Sequence, residues 1–539
     1  MRVMRRKCKT HLFQVFFMFL FLHFLRSRME LRETFGANNI GEEGGESGQD
    51  REEEEQLQVP EEAQGINGPV ADEERRDPSC RRLRLTRRID PITIVVPFCD
   101  EPLEVLLDVL RSIMDNTWKK MIYEIIFMKG NCKGSLPMLD IEAALEKEYD
   151  EVVLVRAGPE RGIMEGRRKA PIYTAADQLV FVDVHSRFTP DWLRPLLELL
   201  ALSDTTIVAP MVETFDPRTG RYQVPHNGSV TGFDWYLRPR TMPLPEVYRS
   251  KLPTPFPSPV IPSPVFAVKK DFYISLGTHD SAISTWLPAQ LELSLKTWLC
   301  NGHVLVVPCS RVLMPHSSLD FGSDYKDLLG YKRIVQVWMS VSQRQYVFRR
   351  RQDLLSIDAG NLQGLMTLKE NLECKPWEYY LNDVAADLTK IFPLEEPRPL
   401  ARGNVRSLVR TDACVTSRGQ EGDHILLATC SEKRNQLQLW SLDWRNLLKS
   451  SDELLCLTAN EDSKEVPVLE ECSTTEAVPQ NQIWIYDPDS GQIQNGRSKK
   501  CLAMKENSDF LGQEECDDGS EKQKWMFDFV NVNHTSKGL

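Results

Sequence analysis

The C-terminal part of the chain repeats itself three times, and that repeat restricts the fold more than any other feature. Cys414 and Cys430 are 16 residues apart, Cys456 and Cys472 are 16 apart, and Cys501 and Cys516 are 15 apart. After each pair comes a Gln-x-Trp: Gln438-Leu439-Trp440, Gln482-Ile483-Trp484 and Gln523-Lys524-Trp525. The tryptophans are spaced 44 and 41 residues apart. A unit of roughly 42 residues cannot bury an apolar face alone, but three copies can share one core. The repeat predicts an all-β trefoil over residues 403–530, with one tryptophan of each copy in the common centre.

Upstream, the pattern changes. Residues 92–96, 123–128, 152–155 and 179–182 are short apolar, β-branched runs. Residues 103–113 and 139–145 place apolar side chains at helical spacing. Strand alternating with helix over residues 89–392 predicts an α/β domain with a mainly parallel sheet covered on both faces. Ligands of such sheets bind at the carboxyl ends of the strands. Asp183-Val184-His185 stands at one such end, followed by Pro190-Asp191-Trp192 and a Leu-rich helix. A carboxylate and an imidazole two residues apart can face one divalent ion. Taken alone, the same pair is equally a strand-end Asp beside a chance His.

The N-terminus carries Arg2, Arg5, Arg6, Lys7 and Lys9 ahead of an apolar run rich in Phe and Leu, and no small-x-small cleavage site follows. Residues 1–11 read as a cytosolic tail and 12–28 as an uncleaved transmembrane signal anchor. The apolar core is shorter than the roughly 20 residues of an average span, which suits a thin early secretory membrane. Residues 29–88, rich in Glu, Gln and Gly, read as a disordered lumenal stem. The basic cluster from Arg81 to Arg88 reads as a solvated domain edge. Thirteen cysteines fit an oxidising compartment. A net charge of −12 argues against nucleic acid as the main partner.

Several landmarks fall in one order: Gly232-Phe233-Asp234-Trp235, Trp298-Leu299-Cys300-Asn301-Gly302, Pro308-Cys309-Ser310-Arg311-Val312, Val337-Trp338-Met339 and Cys374-Lys375-Pro376-Trp377. Together with Asp183-Val184-His185 they resemble the polypeptide N-acetylgalactosaminyltransferases. In that family a nucleotide-sugar transferase domain of the GT-A type precedes a ricin-type lectin trefoil. The resemblance implies a Golgi membrane protein of single-pass type II topology. It implies transfer of N-acetylgalactosamine from UDP-GalNAc to Ser or Thr of protein acceptors. It also implies a manganese ion on Asp183 and His185, substrate contact at Val184 and Trp286, and disulfides Cys80–Cys309 and Cys300–Cys374. The three repeat pairs make five disulfides. Cys8 is cytosolic on this topology, and Cys99 and Cys132 read as buried or free thiols.

The chain departs from the family pattern around the site, and no catalytic residue is assigned. The third metal position, a His in the family, is Met314, and a thioether is a soft, poor manganese ligand; His316 lies two residues on. The family's Trp-Gly-Gly-Glu-Asn is Trp286-Leu287-Pro288-Ala289-Gln290, so its acid is an alanine. An Asp pair becomes Met128-Lys129-Gly130, and an arginine facing the diphosphate becomes Glu165. Ser263-Pro264 replace small glycines, and Ser317, Asp320 and Gly322 fall where donor contacts are expected. In the trefoil the sugar-binding Asp is absent at Thr416, Thr458 and Ala503. A second reading therefore stands beside transfer: a catalytically inactive relative that binds glycoproteins or partner transferases in the Golgi. Asn227 and Asn533 begin N-glycosylation sequons. The Pro-rich run 253–264 is expected to be a surface loop.

Overall fold

The computed structural model describes residues 76–82, 89–131, 141, 144–145, 149–215, 222–223, 228–315, 327–431, 435–451, 454–459, 466–474, 478–505 and 508–531. The anchor at 12–28, nearly all of the stem, Cys132, His316, Ser317, Asp320, Gly322 and both sequon asparagines lie outside these residues. No helix among the described residues is long and apolar enough to cross a membrane. The end of the expected stem is not free chain. Residues Pro78–Arg82 form a 3-10 turn, and buried Cys80 is bonded to Cys309.

The first domain is built on a ten-stranded sheet. Strands β1 (Ile92–Phe98), β2 (Ile122–Asn131), β3 (Val152–Arg161) and β4 (Gln178–Phe181) run parallel in the order β3-β2-β1-β4. Every residue of β1 is buried, as expected of a central parallel strand covered on both faces. The strands beyond β4 are β5 (Arg187–Phe188), β6 (Thr206–Phe215), β7 (Tyr222–Gln223), β8 (Ser229–Phe233), β9 (Pro239–Pro243), β10 (Phe256–Pro257), β11 (Phe266–Lys269) and β12 (His303–Pro315). β11 lies antiparallel between β4 and β6, and β12 runs parallel to β6. The short strand β11 thus runs against its neighbours, but β6 and β12 keep the direction of β1–β4, so the sheet is mainly parallel, as expected, with short antiparallel additions. β8 and β9 form a separate hairpin.

Helices α1 (Leu103–Asn116) and α3 (Arg194–Leu200) cover one face with Leu106, Val109, Leu110, Leu196 and Leu197. Helix α2 (Met164–Lys169) and helices α4 (Trp286–Leu299) and α5 (Leu328–Trp338) lie over the other. The Pro-rich run 253–264 is largely buried rather than a surface loop. Its backbone carbonyls serve the core: Trp298 Nε1 donates to Ser258 O at 3.0 Å, and Tyr380 Oη to Pro259 O at 3.0 Å. Ser294 Oγ accepts from the Ile261 amide at 2.9 Å. Prolines lack amide donors, so a Pro-rich segment can be buried at low polar cost once its carbonyls are met.

The trefoil has twelve strands among the described residues, from Ala401–Ser407 to Trp525–Val530. The three repeats place equivalent atoms in equivalent bonds. Trp440, Trp484 and Trp525 are buried, and their indole N–H groups donate to Val415, Leu457 and Leu502 carbonyls at 2.8, 2.7 and 2.8 Å. Each motif glutamine spans its hairpin end. Its Oε1 accepts from Ser431, Ser473 or Asp517 N, and its Nε2 donates to Thr429, Glu471 or Glu515 O. Disulfides Cys414–Cys430, Cys456–Cys472 and Cys501–Cys516 close each repeat.

Candidate active site

The strand order fixes where a ligand crevice opens. Successive strands step from β1 outward to β3, and the chain then returns to place β4 on the other side of β1. Loops leaving β1 and β4 diverge at that switch point. The β1 loop is Cys99-Asp100-Glu101, held by Glu101 Oε2, which accepts from the Cys99 amide at 2.5 Å. Cys99 is disulfide-bonded, with a partner outside the described residues, which corrects its reading as a free thiol. The β4 loop is Val182-Asp183-Val184-His185. Asp183 Oδ1 accepts from the His185 amide at 2.9 Å and lies 3.4 Å from His185 Nδ1. The Asp183 carboxylate beside the ring raises the imidazole pKa, against the opposing effect of partial burial. Val184 is buried in the core beneath, so of the three only Asp183 and His185 keep exposed polar side chains.

β12 passes beside this loop. β5 pairs antiparallel with it, Arg187 opposite Leu313 and Phe188 opposite Val312. The same register run back one residue sets Ser186 beside Met314. Met314 is buried in an apolar cluster with Val182, Val184 and Phe188. The third-ligand position is thus filled by a core side chain. Among the described residues no group of three or more His, Cys, Asp or Glu is arranged to hold a metal. Asp183 and His185 suit a divalent ion as two donors, but the donor set as a whole does not fit a three-ligand manganese site.

The crevice wall has been rebuilt around Lys129 and α2. Gly166 allows α2 to lie directly on Met128 and Pro97, at the ends of β2 and β1. Glu165, buried, pairs with Lys169 Nζ at 2.6 Å across Gly158 of β3. A side chain at 158 would strike that pair, and the backbone there has φ +141°, so glycine is required on both counts. Lys129, buried at the end of β2, donates to Cys99 O at 3.4 Å and lies 5.2 Å over the Phe98 ring. Burial depresses its pKa, opposed by Asp100 and Glu101.

A second opening is a narrow cleft lined by Phe233, Pro239, Val260, Trp286, Leu287 and Gln290 among others. Buried Ser263-Pro264 packs behind it: Gln290 Nε2 donates to Ser263 O, and Arg167 Nη2 to Pro264 O at 2.9 Å. Ala289 is fully buried and offers neither opening a polar atom. Trp286 is presented by the Ser284-Thr285 turn, which Asp327 clamps. Its Oδ2 accepts from both amides and both hydroxyls at 2.9–3.3 Å, while Oδ1 caps α5 through Gly330 N at 3.0 Å. Sequence reading passed over Asp327, although an Asp three residues before Gly330 and an apolar run is a helix-start signal. Asp327→Ala is expected to cost about 1–2 kcal/mol, the value of a lost helix cap. A denaturant melt followed by tryptophan fluorescence reads the loss, and an unchanged midpoint refutes the clamp.

In the trefoil, the hydroxyls of Thr416 and Thr458, where a sugar-binding Asp is expected, are hydrogen-bonded to Gln438 and Gln482 Nε2 at 3.1 Å each. They serve the framework of the hairpin.

Residues 93–263 match the family 2 glycosyl transferases, and residues 401–525 match the ricin-type beta-trefoil lectin domain. The N-acetylgalactosaminyltransferase 6 of Drosophila melanogaster is 27% identical over 470 residues, 85% of this chain and 70% of that protein. The human polypeptide N-acetylgalactosaminyltransferase 10 is 27% identical over 483 residues, 85% of this chain and 77% of its own length. The chain is a homologue of the polypeptide N-acetylgalactosaminyltransferases. A crystal structure of GalNAc-T7 with UDP, GalNAc and Mn2+ shares the fold, with TM-score 0.57, 23% identity and 86% of each chain covered.

Proposed function

We propose that this chain acts in protein O-glycosylation, transferring N-acetylgalactosamine from UDP-GalNAc to Ser or Thr of protein acceptors. The observation that carries this reading is Asp183 and His185 at the switch point of the sheet, in a chain homologous over 85% of its length to such transferases. Transfer breaks the bond from the anomeric carbon to the diphosphate, whose oxygen keeps the electron pair. The acceptor hydroxyl oxygen bonds the sugar, and its proton is released. In this chain Trp286 and Phe233 give the acceptor an apolar seat, and the crevice at Asp183 and His185 faces the donor. We place the chain in the Golgi membrane, with residues 12–28 as its anchor and both domains lumenal.

Three residues favour a second reading as a catalytically inactive relative that binds glycoproteins or partner transferases. Ala289 cannot orient a hydroxyl, buried Glu165 is committed to Lys169, and Met314 belongs to the core. Each loss of an ordinary site contact costs about 1–3 kcal/mol of transition-state stabilisation. Incubating the purified chain with UDP-GalNAc and Ser/Thr peptides, with mass spectrometry of the peptides, separates the two. N-acetylhexosamine on the peptide is expected, at a rate about 100-fold or more below that of a site with its acid intact. Unmodified peptide at saturating donor overturns transfer.

A further inference from the structure

Arg167 has no role in the site as described so far, and its surroundings call for one. It is buried, and its guanidinium carbon lies 5.8 Å from the ring centres of both Phe181, the last residue of β4, and Phe266. Nη2 reaches Pro264 O, but buried Nε and Nη1 have no hydrogen-bond partner among the described residues. Leaving two guanidinium donors of a buried cation unmet is costly. Burial lowers its pKa, opposed by Tyr273 and by the Asp183 carboxylate. On the other side of β1, the Lys129 ammonium rests on the Cys99 carbonyl, with Asp100 and Glu101 as neighbouring acids. The β1 loop leads into α1, fourteen residues long, with no side-chain cap on its first amides. Lys129 thus bears on the β1 loop that leads into α1 and Arg167 on the Asp183 loop, where the described residues offer a metal only two donors.

We propose that the diphosphate of a nucleotide sugar is held in this chain by side-chain cations, Lys129 and Arg167, rather than by a divalent ion. The proposal rests on the transferase reading for its ligand. A leaving diphosphate needs positive charge within reach as the glycosidic bond breaks, and fixed guanidinium and ammonium groups in a water-poor crevice supply it as a metal does. Arg167 offers two donors toward one phosphate oxygen pair, and Lys129 a point charge opposite.

Calorimetric titration of the full chain with UDP, and separately with inorganic pyrophosphate, tests this in EDTA and in excess manganese. Dissociation constants that agree within about twofold in the two buffers, for both ligands, are expected. Lys129→Met is expected to weaken both ligands by about tenfold, the value of one charge-assisted contact. Binding that needs manganese overturns the proposal and leaves the transferase reading intact. UDP binding without pyrophosphate binding also overturns it, because the cations are assigned to the diphosphate. Absence of both ligands in both buffers overturns it together with the donor half of the transferase reading. Metal-independent UDP binding without sugar transfer removes the transferase reading alone. The buffer comparison uses the unaltered chain, so it decides the question even if Lys129→Met does not fold.

Discussion

Met314→His is expected to create manganese affinity in a chain whose described residues give Asp183 and His185 no third donor. The register from β5 brings position 314 beside the loop that carries Asp183 and His185, so an imidazole there completes a two-His, one-carboxylate set. The substitution has two opposed effects. Met314 packs in the apolar cluster with Val182, Val184 and Phe188. Putting an imidazole there without a partner costs about 1–3 kcal/mol. Bound manganese then stabilises the folded state by about 2.7 kcal/mol when its concentration is a hundred times the dissociation constant. The variant should therefore melt below the native chain in EDTA and recover in manganese, while the native melting temperature changes little between the two. Electron paramagnetic resonance of free manganese gives the binding directly. A variant indifferent to manganese would show that position 314 does not face the Asp183–His185 loop. A native chain that binds manganese tightly would show that two donors suffice.

How much of this was legible beforehand depended on the kind of signal. The trefoil was fully readable, because three spaced cysteine pairs and three Gln-x-Trp motifs record its symmetry in the chain itself. The sheet was readable only in part. A short buried strand is an apolar run whichever way it points, so the sequence could not reveal that β11 enters antiparallel between β4 and β6. The Pro-rich run misled for a related reason: composition marks prolines as loop formers and says nothing of the Trp298 and Tyr380 side chains that meet their neighbours' carbonyls. At the site, Asp183, His185 and the replacement at Met314 were visible as residue types at known places. What Arg167 and Asp327 do was not, since both act through contacts with residues about 97 and 43 positions away in sequence. Cys99 shows the same limit, because an unpaired count of cysteines does not say which are bonded.

The contact between the two domains had no sequence signal at all, and it carries the second large prediction. Arg240, on β9, is buried and reaches into the middle repeat of the trefoil. Its Nη2 donates to Cys472 O at 3.3 Å, its Nε lies 3.6 Å from Glu471, and its Nη1 lies 3.7 Å from Asp234. The guanidinium also lies 5.4 Å over the Phe392 ring, and Thr474 Oγ1 donates to Thr241 O at 2.6 Å beside it. The other strand of the same hairpin, through Gly232 and Phe233, lines the Trp286 cleft. One hairpin thus serves as a cleft wall through Gly232, Phe233 and Pro239 and as a dock for the trefoil through Arg240. Arg240→Ala leaves the Cys472 carbonyl and the half-exposed Glu471 without their cation, and Asp234 keeps only Arg238, at 2.7 Å. Removing one member of such a buried set costs about 3–5 kcal/mol. The cost falls on the contact between the domains, because Arg240 makes no bond within the trefoil core or the ten-stranded sheet. The expected result is a melt that separates into two transitions and faster proteolysis in the connection at residues 393–400. Cleavage should leave both fragments folded, the trefoil held by its own disulfides. A single unshifted transition would show that the domains are held together by other contacts and that Arg240 is a bystander.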